Sequence, residues 1–356
     1  MNETTPEAPA ALPLKGATPA DRQSRFRGVS LLAAGHSIAL GALVTFAALV
    51  ASGPVVAQDY PNRPIRIVLP FSPGGAVDGP TRVVAQELSK RLKQQVIIDN
   101  KPGAGATIGS EMVAKAAPDG YTLLLASQTN AISATLYPKL NFAPIDDFVG
   151  ISLLGREPGV LVVHPGFPVK SVAELVAYAK QRPGQVNYAS SGNGSGQHLF
   201  MAMFASMAGM QLTHVPYRGS GQAVTDMLAG TVPMGFPGTA AMVQHIRAGK
   251  LRPLATSGVA RSSQLPDVPT LAESGLAGYS AYVWMGLLAP KGTPAAVIDK
   301  LQRELKAVMA TPEVKSYFAE AGIEAVASTP AEMDAYFREE RDRWARVVKE
   351  TGAKVD

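Results

Sequence analysis

From Ile65 onward the chain repeats one unit: a short apolar run, a loop carrying glycines, and a stretch with helical periodicity. Short strand-like runs alternating with helix-length segments specify parallel sheets covered by helices, because a parallel connection has to cross the sheet and a helix is the usual way to do so. Strands are expected at Ile65–Leu69, 96–98, Thr122–Ala126, Val160–Val163, 186–188, 212–215, 232–236, Arg252–Thr256 and 282–288. Between them, Val84, Leu88 and Leu92 mark one helix face, with Pro80 as its first residue. Near the C-terminus Val297, Leu301, Leu305 and Val308 mark a second face, and Met333, Phe337, Trp344 and Val348 a third. Ser171 with Glu174, and Thr329 with Glu332, have the spacing of capping boxes at helix starts. The expected class is therefore α/β, and ligands of such folds sit at the carboxyl ends of the strands.

Two loops at such ends echo one another. Pro70, Phe71, Ser72, Pro73, Gly74 and Gly75 follow the first strand; Ser190, Ser191, Gly192, Asn193, Gly194, Ser195 and Gly196 follow the run at 186–188. Each leads into a helix pattern. Glycines let the backbone come close to a ligand, and the helix behind offers free N–H groups and the positive end of its dipole. Together they predict an acid held from two sides. The expected contacts are Phe71, Ser72, Gly74, Gly75 and Ala76 from one loop, and residues 190–195 from the other. Ser190, Ser191 and Ser195 carry hydroxyls that can donate to a carboxylate, and Ser191 or Ser195 can equally cap the helix. Asp78 either assists the helix start or orders a bound water. Tyr217 is expected as a pocket wall or hydroxyl donor. Gln128, Thr129, Thr239 and Trp284 join the candidates by position, Gln128 and Thr129 in a polar loop of Ser127, Gln128, Thr129 and Asn130. His198 is read as a helix residue near the second loop.

Other chemistries find less support. The run from Lys101 to Gly109 resembles a dinucleotide fingerprint, but its Gly-x-Gly-x-x-x-Gly spacing is one residue too long and it does not follow the first strand, so it reads as a tight strand-to-helix turn. Histidines 164, 198, 214 and 245 lack metal-ligand spacing, and cysteine is absent, which removes disulfides, thiolate metal sites and a cysteine nucleophile. No metal or cofactor is expected. A periplasmic hydrolase using the serine-rich loop as an oxyanion hole would want a Gly-x-Ser-x-Gly elbow, which the chain lacks, and no motif links a serine to a histidine. The formal net charge is +5 without any run of Lys and Arg, so nucleic acid is not an expected partner, while an anion is mildly attracted.

Residues 1–57 read as an N-terminal tail and signal peptide. Arg22, Arg25 and Arg27 precede an apolar run over 28–50, and Gly53, Pro54, Val55, Val56 and Ala57 suit cleavage before Gln58. A membrane anchor is the alternative, because the run is about long enough to span a bilayer.

The motifs then line up with a family. Pro70 to Asp78, Pro118-Asp119-Gly120-Tyr121-Thr122-Leu123, Asp147-Phe148, Asn187-Tyr188-Ala189-Ser190, His214-Val215-Pro216-Tyr217, Ala248-Gly249-Lys250-Leu251-Arg252, Leu265 to Thr270 and Trp284 to Pro290 occur in order. From Tyr60 to the C-terminus the chain resembles the Bug-type extracytoplasmic receptors of tripartite tricarboxylate transporters. The resemblance implies a two-lobed periplasmic binding protein fold, each lobe a mostly parallel sheet flanked by helices, with the chain crossing between lobes. Lobe 1 would be 60–154 plus 286–356, and lobe 2 would be 155–285. It implies a monomer that closes by hinge motion on a small organic carboxylate, held by backbone amides and waters from the two loops. The partner would be a membrane permease or, in the alternative, a membrane sensor kinase. Two departures bear on the ligand: Ala76 and Val77 stand where the family commonly has hydroxyl residues, and Pro237 stands where many members have aspartate. The second favours a simple organic acid over an amino acid.

Overall fold

The long C-terminal part of the chain builds two β-sheets. The structure, a computed structural model, describes residues 60–137 and 139–354; the expected signal peptide and its cleavage site lie outside them. In chain order the elements are β1 (Ile65–Leu69), α1 (Asp78–Leu92), β2 (Val96–Asn100), α2 (Thr107–Ala114), β3 (Thr122–Ala126), α3 (Gln128–Leu136), β4 (Phe148–Pro158) and β5 (Val160–Val163). There follow α4 (Val172–Lys180), β6 (Asn187–Ser190), α5 (Gly196–Ala208), β7 (Thr213–Pro216), α6 (Ser220–Ala229), β8 (Met234–Gly235), α7 (Thr239–Arg247) and β9 (Arg252–Thr256). Last come β10 (Tyr282–Pro290), α8 (Ala295–Met309), α9 (Pro312–Ala321), β11 (Glu324–Ala325) and α10 (Pro330–Thr351). None of these helices is long and apolar enough to cross a membrane.

The first sheet runs β11-β4-β10-β3-β1-β2 and the second β7-β6-β8-β5-β9. Parallel pairing, expected to dominate, is confined to β2-β1-β3 and β7-β6-β8; β10 pairs antiparallel with both β3 and β4, and β5 antiparallel with both β8 and β9. The sheets are mixed because β4 and β10 carry the chain across. β4 leaves the first sheet at Pro158 and β5 enters the second at Val160, while β10 returns in the opposite sense. A strand that comes back this way lies beside its predecessor without a helical crossover, so the pair is antiparallel.

Strand alternation decides where the cores sit. Leu161 and Val163 face the main core, which extends from β1 through Trp284 to Phe200; Val160 and Val162 face a smaller core with Met227 and Met242 under α6 and α7. Helix α10 spans both sheets' helices. Its start is a full capping box, Thr329 accepting from Glu332 N–H while Glu332 accepts from Thr329 N–H at 2.8 Å. Its buried Glu340 accepts from the Trp284 indole at 2.8 Å and the Trp344 indole at 3.0 Å, and the Trp344 ring stacks on Phe200 of α5 at 5.6 Å.

Three local readings change. Helix α1 begins at Asp78, two residues before Pro80; Pro80 still falls among the first residues, where a missing N–H costs nothing. Residues 127–130, expected as a loop, form a cap and the first turn of α3: Ser127 Oγ accepts from Thr129 N–H and Asn130 Oδ1 accepts from Ser127 N–H at 2.8 Å. At Ser171 only half of the expected box forms, since the Glu174 carboxylate reaches Lys170 N–H instead.

Candidate functional site

Helices α1, α2, α3, α5, α6 and α7 all begin around one cavity of about 760 Å³, and residues at each of these starts line it. Val77, Ala106, Ser127, Ser195, Gly219 and Gly238 occupy the cap positions. The first three belong to the first sheet and the last three to the second. Among the described lining residues Arg218 is the one charged side chain, and none is Asp or Glu. Six positive dipole ends and one guanidinium around a space without carboxylates among its described lining residues give it a potential that favours an anion.

The first loop is held from below by Asp78. Its Oδ2 accepts from Gly74 N–H at 3.1 Å and from Arg82 Nε at 3.0 Å; its Oδ1 accepts from Arg82 Nη2 at 3.0 Å and Asn100 Nδ2 at 3.1 Å. Burial alone would raise the carboxyl, but hydrogen bonds from Arg82, Gly74 and Asn100 bring it below the usual aspartate value. Asn100 also donates to Phe71 carbonyl at 3.0 Å, so loop, helix and β2 are tied together. Gly74 takes φ +77°, open to glycine at little cost. Its N–H and that of Gly75 are spent within the loop, whereas those of Ser72, Ala76 and Val77 have no partner among the described residues.

The second loop is built the same way with histidine in place of aspartate. Gly194 N–H donates to His198 Nδ1 at 3.2 Å, Gly192 N–H to Ser190 Oγ at 3.1 Å, and Ser195 Oγ caps α5 by accepting from His198 N–H at 3.3 Å. The N–H groups of Ser191 and Asn193 have no partner among the described residues. The His198 and His214 rings stack at 3.9 Å and 6°, with Tyr188 beyond at 5.0 Å from His214. Burial pushes His198 down to about 4; burial and then the neighbouring His198 push His214 down to about 3. Both rings are neutral at pH 7, as acceptance of a backbone N–H by His198 Nδ1 requires. Ser190 Oγ lies 2.5 Å from His214 Nε2, a pairing no motif gave away. Ser190 is fully buried and does not line the cavity, so the pair serves the loop's shape.

Of the residues singled out in the sequence, Phe71, Ser72, Gly75, Ala76, Gln128, Thr129, Ser191, Gly192, Asn193, Ser195 and Tyr217 line the cavity. Gly74, Asp78, Ser190 and Gly194 lie just behind it and shape the loops. Thr239 is buried with its hydroxyl donating to Pro158 carbonyl at 2.8 Å, and Trp284 is buried against α10. Tyr217 contributes its ring, since its hydroxyl donates to Asp226 at 2.7 Å. Gln128, only 6% exposed, accepts from Trp284 N–H at 3.2 Å, and its amide nitrogen, without a partner, lies against Gly196 of the other sheet's helix. The run at 103–106, read as a mere turn, forms one wall; Tyr137, Arg218, Ser220, Gln222 and Val283 were also missed. The available signal was positional, for 103–106 and 218–222 also follow the carboxyl ends of strands.

The chain matches the family model described as tripartite tricarboxylate transporter family receptor over residues 81–353. It is 39% identical over 318 residues to protein BugT of Bordetella pertussis, covering 89% of this chain and 97% of BugT. Among solved structures, it is similar to an R. palustris protein with adipate (33% identical, TM-score 0.79, covering 83% of this chain and all of that one). It is also similar to MatC from Rhodopseudomonas palustris with bound malate (31% identical, TM-score 0.77, covering 81% of this chain and 100% of MatC).

Proposed function

Because the chain belongs to the tripartite tricarboxylate transporter receptor family, we propose that it captures a small organic carboxylate in the periplasm and presents it, chemically unchanged, to a membrane permease. The observation that carries this reading is the convergence of unpartnered N–H groups from the loops after β1 and β6 on a cavity without acidic side chains. Hydrogen bonds to a charged acceptor contribute roughly 1.5–3 kcal/mol each, and a few of them, less the cost of ordering, support micromolar binding. Relatives solved with adipate and malate are consistent with a carboxylate ligand.

Residues 60–154 with 286–356, and residues 155–285, act as two lobes hinged where β4 passes into β5 and where β10 begins. A Cβ on Gly219 would lie 3.5 Å from Ser72 Oγ across the cavity, and one on Gly196 would run into Gln128, so an acid touching both sides favours the closed arrangement. The test is calorimetry on the purified, ligand-stripped chain with a panel of acids and their amides. An acid that binds while its amide does not supports capture; Gly194→Val, at φ +73° and donating to His198, should weaken that binding at least 100-fold with a retained fold. Undiminished affinity in Gly194→Val, or no binding of any acid, refutes the reading.

A further inference from the structure

The cavity is divided by chemistry. Its second-sheet wall is hydrogen-bonding: Ser191, Asn193, Gln197, Ser220 and Gln222 alternate with glycines. Opposite, beyond Ser72 and the corner at 127–129, the first-sheet wall is apolar, made by Phe71, Pro73, Pro102, Ala104, Ala106 and the ring of Tyr137. Residues 103–106 have φ values of +131°, +44°, +59° and +72°, a left-handed turn that includes two alanines. Such backbone is costly for a residue with a Cβ and persists only where surrounding packing enforces it. Tyr137 packs over this turn at Gly105. A Cβ on Gly105 would lie 2.7 Å from its ring and its hydroxyl, so the ring covers the turn and joins it in a flat wall. The Tyr137 hydroxyl has no partner among the described residues, and burial raises its pKa, so it keeps its proton.

An acid whose carboxylate sits on the amide cradles projects the rest of itself toward this wall. A second carboxylate there would meet the α2 N-terminus but no cationic side chain, since Arg218 is exposed and belongs to the other side. We infer that the ligand is a carboxylate with a flat, apolar, ring-sized body whose far end carries a hydrogen-bonding group that meets the Tyr137 hydroxyl. This rests on the capture reading and narrows it.

The test is titration calorimetry of the ligand-stripped full chain with 4-hydroxybenzoate, benzoate, 4-hydroxybenzamide, succinate and adipate. Expected are at least tenfold tighter binding of 4-hydroxybenzoate than of either aliphatic diacid, and no binding of the amide. Tyr137→Phe, which keeps the ring over Gly105, should remove most of the advantage of 4-hydroxybenzoate over benzoate; an unchanged thermal midpoint shows the wall intact. A diacid that binds as tightly as the aromatic acids, and loses that binding in Arg218→Gln, overturns the inference while capture stands. A Tyr137→Phe protein with the hydroxyl preference intact also overturns it. Failure of every acid overturns both readings.

Discussion

Glu157 offers a magnitude that can be worked from the structure. It ends up fully buried near the close of β4, where the chain passes from the first sheet toward the second. Its Oε2 accepts from Ala240 N–H at 2.6 Å, at the start of α7, while its Oε1 has no partner and faces Gly238. Burial pushes the carboxyl from 4.5 up to about 8, the Ala240 N–H pulling the other way. The folded protein therefore holds a proton at pH 7 that the unfolded chain has released. Stability from this group is fully present below pH 4.5 and declines as the pH rises through about 8. At 1.36 kcal/mol per unit, the loss between pH 4.5 and 7 comes to roughly 3 kcal/mol. Glu157→Gln removes the linkage, because the amide is neutral throughout and keeps an oxygen for Ala240. Moving from pH 4 to pH 7, the variant should gain about 3 kcal/mol on the parent. At about 2 °C per kcal/mol for a chain of this size, that is a relative rise of about 6 °C in Tm. Thermal denaturation of both proteins at pH 4, 5.5, 7 and 8.5 reads this directly. A Tm difference that stays constant across the series, or that grows toward acid, refutes the reasoning.

Gly196→Ala drives a methyl into the Gln128 amide, with Cδ of that side chain at 3.0 Å; Gln128 must swing away and leave Trp284 N–H unpaired, so acid affinity should fall about tenfold or more and stability by about 1–3 kcal/mol, read by calorimetry and thermal melts. Asp78→Asn keeps the side chain's size but weakens its hold on Arg82 and Gly74; stability should drop by about 1–3 kcal/mol at pH 7, and the gap to the parent should close as the pH falls below the usual aspartate value, because a carboxyl held low contributes above that value and loses its effect in acid. His198 and His214, held down to about 4 and about 3, contribute stability that is complete above pH 6.5 and is lost as the pH falls toward those values. His214→Gln, which still meets Ser190, should reduce the fall in stability between pH 6.5 and 4 by about 1.4 kcal/mol per unit, and an unchanged slope in melts over that range would contradict the neutral-ring assignment.

Much of the molecule was legible before folding because its signals are local. Ile65–Leu69, Thr122–Ala126, Val160–Val163 and Arg252–Thr256 end where the apolar runs end. Thr329 and Glu332 cap α10 from three residues apart, and Gly209 stops α5 by its own left-handed geometry. The two glycine loops, too, stand out from a few residues each, and both line the cavity. What the sequence could not determine depends on groups far apart along it. The eleven residues of β4 form a strand because β10, more than a hundred positions later, pairs with them in the opposite sense. Which amides remain for a ligand follows from Asp78 and His198 claiming those of Gly74 and Gly194, and His198 is neutral because it is buried, with His214 of β7 and Tyr188 of β6 stacked beside its helix position. Residues 103–106 become a wall only once Tyr137 lies over Gly105. The sequence by itself determined the elements and the loops that line the cavity, since spacing and backbone freedom act over a few residues; the tertiary structure decided pairing sense, free donors and protonation, since these are set by neighbours that only folding brings within a few ångströms.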